Sequence, residues 1–233
     1  MLRKEVNKRS PLRTFERSIH GGLGRGNVGV VLSRAGVGKS PFLVGMALDN
    51  VMRDRKVLHS DTHHTAERVR DYYDEIFHNL AESTELDDRS SVQAMIENNR
   101  MIYSFPNADF ELDKMLEHLD NMGTHMSFVP DTIILDGYPD FDHTSEDEIK
   151  AIAAMAERLN VEVWLAGNSH RGDMADPTVI PESIAKHSNS LAVIVGLYPS
   201  EDHVCLRLLK DHDSAELAEV DLELDPTTLL LKE

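Results

Sequence analysis

A glycine-rich turn near the start of the chain has the residue types that bind phosphate. The β-branched run 28–33 leads into this turn, and an apolar run from Phe42 follows it. In a strand–turn–helix of this kind, backbone N–H groups and the helix N-terminus hold phosphate oxygens, a lysine reaches the terminal phosphates and a hydroxyl binds Mg²⁺. The pattern for such a turn is G-x-x-x-x-G-K-[ST], and this chain has Ser33 in place of its first glycine. Ser40 supplies the hydroxyl. The predicted phosphate-binding residues are Arg34, Ala35, Gly36, Val37, Gly38, Lys39, Ser40 and Pro41.

A carboxylate at the end of a second apolar run supplies the other expected Mg²⁺ ligand. This run, 132–136, ends in Asp136, and a strand that ends in an acid beside a phosphate loop holds the magnesium shell. A buried strand that ends in Asp is common in α/β proteins, so this signal is weak alone. The two motifs in this order, with strands between them, predict a P-loop nucleotide-binding fold with ATP and Mg²⁺ as ligands.

The elements that must position these residues alternate along the chain. Short apolar runs alternate with longer amphipathic ones from about residue 27, which predicts an α/β fold with a mostly parallel central sheet flanked by helices. The predicted strands are 28–33, 56–59, 101–104, 132–136, 162–166 and 191–197. The predicted helices are 39–53, 65–82, 90–98, 109–122 and 146–159, the last capped by Ser145. Alternating runs at 204–209, 217–224 and 228–231 predict a C-terminal antiparallel extension of the sheet.

Charge is unevenly distributed along the 233 residues, whose formal net charge is −17. Residues 1–25 carry seven bases and two acids, a net +5, so the remaining 208 residues carry −22. Such an acidic body repels phosphate backbones, which makes a nucleic-acid ligand unexpected. We predict a basic N-terminal arm at 1–20 that docks on a neighbouring copy, or else a solvated leader, and one nucleotide-binding domain at 21–233.

Composition excludes other protein classes. No run reaches the ~18 apolar residues of a membrane span, and the charged start of the chain is unlike a signal peptide. The single cysteine, Cys205, permits no internal disulfide, which fits a reducing compartment. The expected location is therefore the cytoplasm.

These motifs resemble the RecA-like ATPases, in particular the ATPase domain of DnaB-type replicative helicases and the KaiC-like proteins. Residues 21–26 look like the glycine-rich lead-in of that group, and 33–42 are similar to its DnaB-type loop, which also lacks the first glycine. Residues 163–171 resemble the strand with a polar sensor, and 208–213 fall where the family has a K-x-R segment. The resemblance covers roughly 18–232. It implies a RecA-like P-loop NTPase whose nucleotide lies between subunits.

Departures from the family bear on catalysis. The resemblance places His63 at the position of the catalytic Glu, with Asp61 the nearest acid, so either would position the attacking water. It makes Asn168 the sensor of the γ-phosphate and Lys210 the group that reaches a neighbouring nucleotide, while His212 stands where the family has an arginine finger. Loss of such a finger costs ~10³ or more in rate. We therefore expect ATP hydrolysis to be slow or absent.

Three functions remain open at this stage. The first is a ring-forming or filament-forming ATPase, a homo-oligomer such as a hexamer with slow hydrolysis. The second is a catalytically weak scaffold or regulator in which ATP controls assembly or the binding of a partner protein. The third, less expected, is a DNA-translocating helicase, because the primase-binding extension is missing and the charge opposes it.

Two polar segments have more than one interpretation. His59, His63 and His64 with Asp61 have the composition of a zinc or manganese site, but His59 and Asp61 share a face only if their strand continues to Asp61. We expect polar residues that line a cleft. The connection 168–181, with Arg171 as an available base, is either a pore-lining loop of a ring ATPase or a surface loop.

Overall fold

The computed structural model describes residues 1–105, 111–125, 128–169 and 176–233 of the chain. In these ranges the chain forms a nine-stranded sheet of order β3-β2-β4-β5-β1-β6-β7-β8-β9. Its strands are β1 (Val28–Ser33), β2 (Val57–Asp61), β3 (Arg100–Ser104), β4 (Thr132–Asp136), β5 (Glu162–Asn168), β6 (Val193–Pro199), β7 (Val204–Asp211), β8 (Glu223–Leu224) and β9 (Leu231–Lys232). The helices are α1 (Arg3–Lys8), α2 (Leu12–Ser18), α3 (Lys39–Val51), α4 (Ala66–Ser83), α5 (Arg89–Asn99), α6 (Leu112–His125), α7 (Glu146–Leu159) and α8 (Glu182–Ala185).

The predicted α/β architecture is confirmed. Strands β1 to β6 pair in parallel, and β7, β8 and β9 extend the sheet with antiparallel pairing. Because the six parallel strands run the same way, their carboxyl ends lie at one edge of the sheet. We call this the carboxyl edge, where open α/β sheets bind ligands.

Helices cover both faces of the sheet. One apolar cluster joins the sheet to α3, α4 and α5, and a second joins it to α6 and α7. Helix α7 begins and ends where the sequence predicts, because Ser145 and Glu148 form a capping box and Asn160 ends the helix in the left-handed conformation.

Several predicted boundaries are wrong by a few residues. Strands β2, β5 and β6 each continue two residues beyond the predicted end, so that Asp61 and Asn168 belong to strands. The predicted strands 217–224 and 228–231 shrink to the two-residue strands β8 and β9. Residues 215–219 are exposed and include Glu216 and Glu219, so they have no apolar face to pack against the sheet. Part of the predicted helix 109–122 lies outside the described residues.

The N-terminal segment 1–20 packs against its own chain. Its apolar side chains join the cluster beneath α3: Val6, Leu12, Phe15 and Ile19. Arg13 forms ion pairs with Glu16 and with Asp49 of α3, whose side chain is 3% exposed, and Arg3 pairs with Asp54 at 2.8 Å. The acidic partners of this basic arm therefore lie in the same chain, and its docking on a second copy stays a prediction.

Candidate functional site

The turn between β1 and α3 is built on two glycines with positive φ. Gly36 and Gly38 have φ of +79° and +123°, conformations that glycine adopts without strain. Gly38 is also enclosed, since a Cβ there would lie 2.7 Å from the side chain of Leu224. Gly38 is the N-cap of α3, so the N–H groups of Lys39 and Ser40 lie in the first helical turn and have no partner within the helix. Pro41, the third residue of α3, has no N–H to offer.

The ammonium group of Lys39 lies across the mouth of this turn. Its Nζ donates to the carbonyl oxygen and the Oγ of Ser33, each at 3.2 Å, and to the carbonyl oxygen of Arg34 at 3.4 Å. Burial lowers the pKa of Lys39, and the negative charge of Asp136 opposes this shift. All three partners are neutral, so an anion bound in the turn would replace weak acceptors with a charged one.

Asp136 lies beside Asp61 at the carboxyl edge. The two residues are paired in the register of β4 and β2, and Thr62 N–H donates to the carbonyl oxygen of Asp136 at 3.0 Å. Gly137 follows with a φ of +86°, and a Cβ there would lie 2.0 Å from His63 Nδ1 and 2.4 Å from Thr62 Oγ1. The close approach of residues 62–63 to Asp136 therefore requires a glycine at position 137.

His59, Asp61 and Asp136 form a buried cluster of metal-ligating groups. Each offers one ligand atom, and these atoms lie within 4.8 Å of one another. The side chains are 1%, 2% and 6% exposed, respectively. The alternation of β2 brings His59 and Asp61 to one face because the strand does continue to Asp61, which is the condition that the sequence left open.

Hydrogen bonds fix the orientation of two cluster members. Asp61 Oδ1 accepts from the N–H groups of His63 and His64, both at 2.7 Å, and Asp61 Oδ2 lies 2.9 Å from His64 Nδ1. His59 Nδ1 lies 3.0 Å from the Tyr73 hydroxyl. Burial lowers the pKa of His59, against the opposing charges of Asp136 and Asp61, and burial also raises the pKa of Tyr73.

Two cluster atoms have no hydrogen-bond partner. Among the described residues, Asp136 Oδ2 and His59 Nε2 are buried and accept or donate no hydrogen bond. Native structures pair most buried polar atoms with protein, water or an ion, so both atoms are available to a ligand. No sequence motif indicates a role for Tyr73, which has the pattern of an ordinary residue on the apolar face of α4.

The predicted catalytic residues do not all meet at this edge. Asp61, His63 and Asn168 lie there, with Asn168 exposed and paired with Ser33 in the register of β5 and β1. Asp61, however, is engaged by the turn that follows it. Lys210 lies at the opposite edge of the sheet, where its Nζ donates to the carbonyl oxygens of Ser188 and Leu191 and burial lowers its pKa. Any contact between Lys210 and a bound nucleotide would therefore need a second copy of the chain.

His212 is also tied within the chain, with Nδ1 2.7 Å from Asp211 Oδ1 and Nε2 3.1 Å from the carbonyl oxygen of Leu23. The proposed pore-lining segment falls partly outside the described residues, which omit 170–175 and with them Arg171.

No helix in the described ranges has both the length and the apolar character needed to cross a membrane. Comparison of the chain with protein-family models gave no match, and comparison with curated protein sequences gave none.

Proposed function

We propose that this chain is an ATP-binding P-loop protein of the RecA-like type, with the phosphates bound by residues 34–41. The observation that carries the proposal is the position of Lys39. Its ammonium lies across a glycine turn at the start of α3, contacts neutral acceptors and stands within the field of Asp136. A cation, two free helix N–H groups and an enclosed glycine turn are the features that recognise a polyphosphate.

The residues present also fit a magnesium ion at the terminal phosphates. Ser40 offers a hydroxyl in the first turn of α3, and Asp136 has a buried carboxylate oxygen without a partner. A bound Mg²⁺ would neutralise charge on the phosphate oxygens. Asp136 and Lys39 interact electrostatically, so the acid that would hold the metal and the base that would hold the phosphates belong to one site.

Slow hydrolysis follows from the state of the candidate bases. Both oxygens of Asp61 have hydrogen-bond partners, which reduces its capacity to accept a proton from water. His63 is exposed above Gly137 and is the freer of the two groups. Lys210 would contribute only if a neighbouring copy presented it, which is the arrangement of a homo-oligomer such as a hexamer.

The hydrogen bonds that occupy both oxygens of Asp61 favour a second candidate function. A chain that binds ATP while its nearest acid is occupied by a turn suits a nucleotide-controlled scaffold or regulator that acts on a partner protein. Phosphate release measured across a protein concentration series separates the two functions. A ring ATPase turns over faster as it assembles, whereas a regulator shows no such rise.

Titration of the purified chain with ATP and Mg²⁺ tests the shared proposal. We expect one ATP per chain and at least a tenfold loss of affinity in Lys39→Ala, because the variant removes the cation at the terminal phosphates. Lys8→Ala, which removes a lysine whose side chain is 76% exposed in the N-terminal arm, is the matched control and should bind as the wild type does. Equal affinity of Lys39→Ala and wild type would refute the proposal.

A further inference from the structure

The cluster of His59, Asp61 and Asp136 brings two carboxylates and an imidazole together inside the protein. Two carboxylates whose ligand atoms lie within 4.8 Å of one another repel each other, and both are almost fully buried. Arg100, a cation whose field reaches His59, forms an ion pair with Glu97 at 2.7 Å. Lys39 interacts electrostatically with Asp136, but its Nζ donates to Ser33 and not to either carboxylate. A cation bound between the two carboxylates would reduce their mutual repulsion.

The unsatisfied atoms point to that cation. His59 Nε2 and Asp136 Oδ2 are buried and have no hydrogen-bond partner, although each belongs to a residue of the cluster. A neutral imidazole nitrogen with a lone pair is a metal ligand, and so is a carboxylate oxygen. The atoms left without a partner are thus of the two kinds that a metal ion uses.

Hydrogen bonds orient two of the proposed ligands, His59 and Asp61, as outer-shell partners do in metal sites. Ligating histidines commonly donate their second ring N–H to an oxygen, which fixes the tautomer and the orientation of the ring. The Tyr73 hydroxyl, 3.0 Å from His59 Nδ1, can accept from an Nδ1–H, and that tautomer leaves the lone pair on Nε2 for a metal ion. The backbone N–H groups of residues 63 and 64 orient the Asp61 carboxylate in the same way.

The donor set distinguishes among ions. Mg²⁺ and Ca²⁺ bind through oxygen, whereas one imidazole with two carboxylates suits first-row transition ions. Ligand atoms in a tetrahedral zinc site with bonds of about 2.0–2.2 Å lie roughly 3.3–3.6 Å apart. The ligand atoms here lie within 4.8 Å of one another, so a bound ion requires the side chains to draw closer together.

We propose that His59 Nε2, Asp61 and Asp136 bind one divalent first-row transition cation, represented by Zn²⁺, in preference to Mg²⁺. None of these three residues belongs to the turn 34–41, so the cluster does not depend on that turn. Three protein ligands leave one position of a tetrahedral ion open. Because Asp136 belongs to both sites, a transition ion bound here takes the carboxylate that Mg²⁺ would otherwise use.

A competition titration tests this site on the full-length protein stripped of metal. Zn²⁺ is added against a chelating indicator, with and without millimolar Mg²⁺. We expect one Zn²⁺ per chain bound at high affinity and retained in excess Mg²⁺, with at least a hundredfold loss in His59→Gln. His78→Gln, which changes a histidine on α4 whose side chain is 63% exposed, is the matched control and should retain the affinity.

Two further variants keep the test decisive if His59→Gln fails to fold. Tyr73→Phe keeps the buried ring and removes only the hydroxyl, and we expect Zn²⁺ affinity to fall by about 10–100-fold, as for other outer-shell partners. Lys39→Ala should bind Zn²⁺ as the wild type does, even where ATP binding is lost or was never present. Wild-type affinity for Zn²⁺ in folded His59→Gln, or in Tyr73→Phe where His59→Gln does not fold, would overturn the proposal, and so would complete displacement of Zn²⁺ by Mg²⁺.

Discussion

Substitution of two glycines by alanine should change stability in opposite directions. Gly137 follows Asp136 with a φ of +86°, and its missing Cβ leaves room for His63 and Thr62. Gly45 lies within α3, and a Cβ added there would have no neighbour within 4 Å. The pair therefore tests whether the turn at Asp136 is built on a glycine.

The magnitudes follow from geometry. In Gly137→Ala the left-handed backbone costs an L-residue roughly 1–2 kcal/mol. The new Cβ, placed 2.0 Å from His63 Nδ1 and 2.4 Å from Thr62 Oγ1, must also displace residues 62–63. Overpacking of this kind adds about 1–3 kcal/mol, so we expect a total loss of about 2–5 kcal/mol in the free energy of unfolding. Gly45→Ala should instead gain about 0.5–1 kcal/mol, because alanine loses less backbone entropy in a helix.

Urea denaturation followed by circular dichroism measures both changes. The denaturation midpoint should fall in Gly137→Ala and rise slightly in Gly45→Ala, with the slope unchanged in each. A Gly137→Ala variant as stable as the wild type would refute the packing of His63 and Thr62 over this turn.

Three other perturbations address the loop, the cluster and the arm. Pro41→Ala restores an N–H in the first turn of α3, so we expect ATP affinity to rise about tenfold by calorimetry; unchanged or weaker binding would place the phosphates elsewhere. The pKa of His59 is lower in the folded chain, so the unfolded chain binds more protons as the pH falls below about 6.5, and stability should fall there by up to about 1.4 kcal/mol per pH unit. His59→Gln should flatten this slope in urea denaturation between pH 7.5 and 5.5, and equal slopes would contradict the burial of a neutral imidazole. Arg13→Ala leaves the buried Asp49 with one fewer cation and should cost about 2 kcal/mol, whereas Lys8→Ala should change stability by under about 0.5 kcal/mol; equal effects would mean that the arm is not anchored at Asp49.

Local sequence signals predicted much of the fold. Strands β1 and β4 and helix α7 begin and end where predicted, because continuous β-branched runs and the Ser145 cap act within a few residues. The N-terminal segment was harder to place. Its basic residues predict docking on a neighbouring copy of the chain. In the structure Phe15 packs inside its own chain, with its ring centroid 6.0 Å from that of Phe42 and 6.1 Å from that of Trp164. That contact joins residues far apart in the chain, and a count of charges contains no information about it.

The candidate site was predictable in composition and only partly in geometry. The motifs place Asp136 at a strand end and Lys39 at the start of the helix that follows another strand, and the parallel sheet brings such positions to one edge. The approach of His59 to Asp136 depends on the order of β2 and β4, which no local pattern specifies. Lys210 lies at the opposite edge because β7 runs antiparallel to β6. The family resemblance predicts Lys210 near a nucleotide, but within one chain it is distant from the turn 34–41.

Amide hydrogen exchange of the full-length chain, with and without ATP and Mg²⁺, tests the central claim most directly. We predict that ATP slows exchange in a peptide that covers residues 34–40 and in one that covers Asp136, that AMP does so much less, and that Lys39→Ala abolishes the effect. Unchanged exchange at 34–40 with saturating ATP, or protection confined to other parts of the chain, would contradict phosphate binding at this loop.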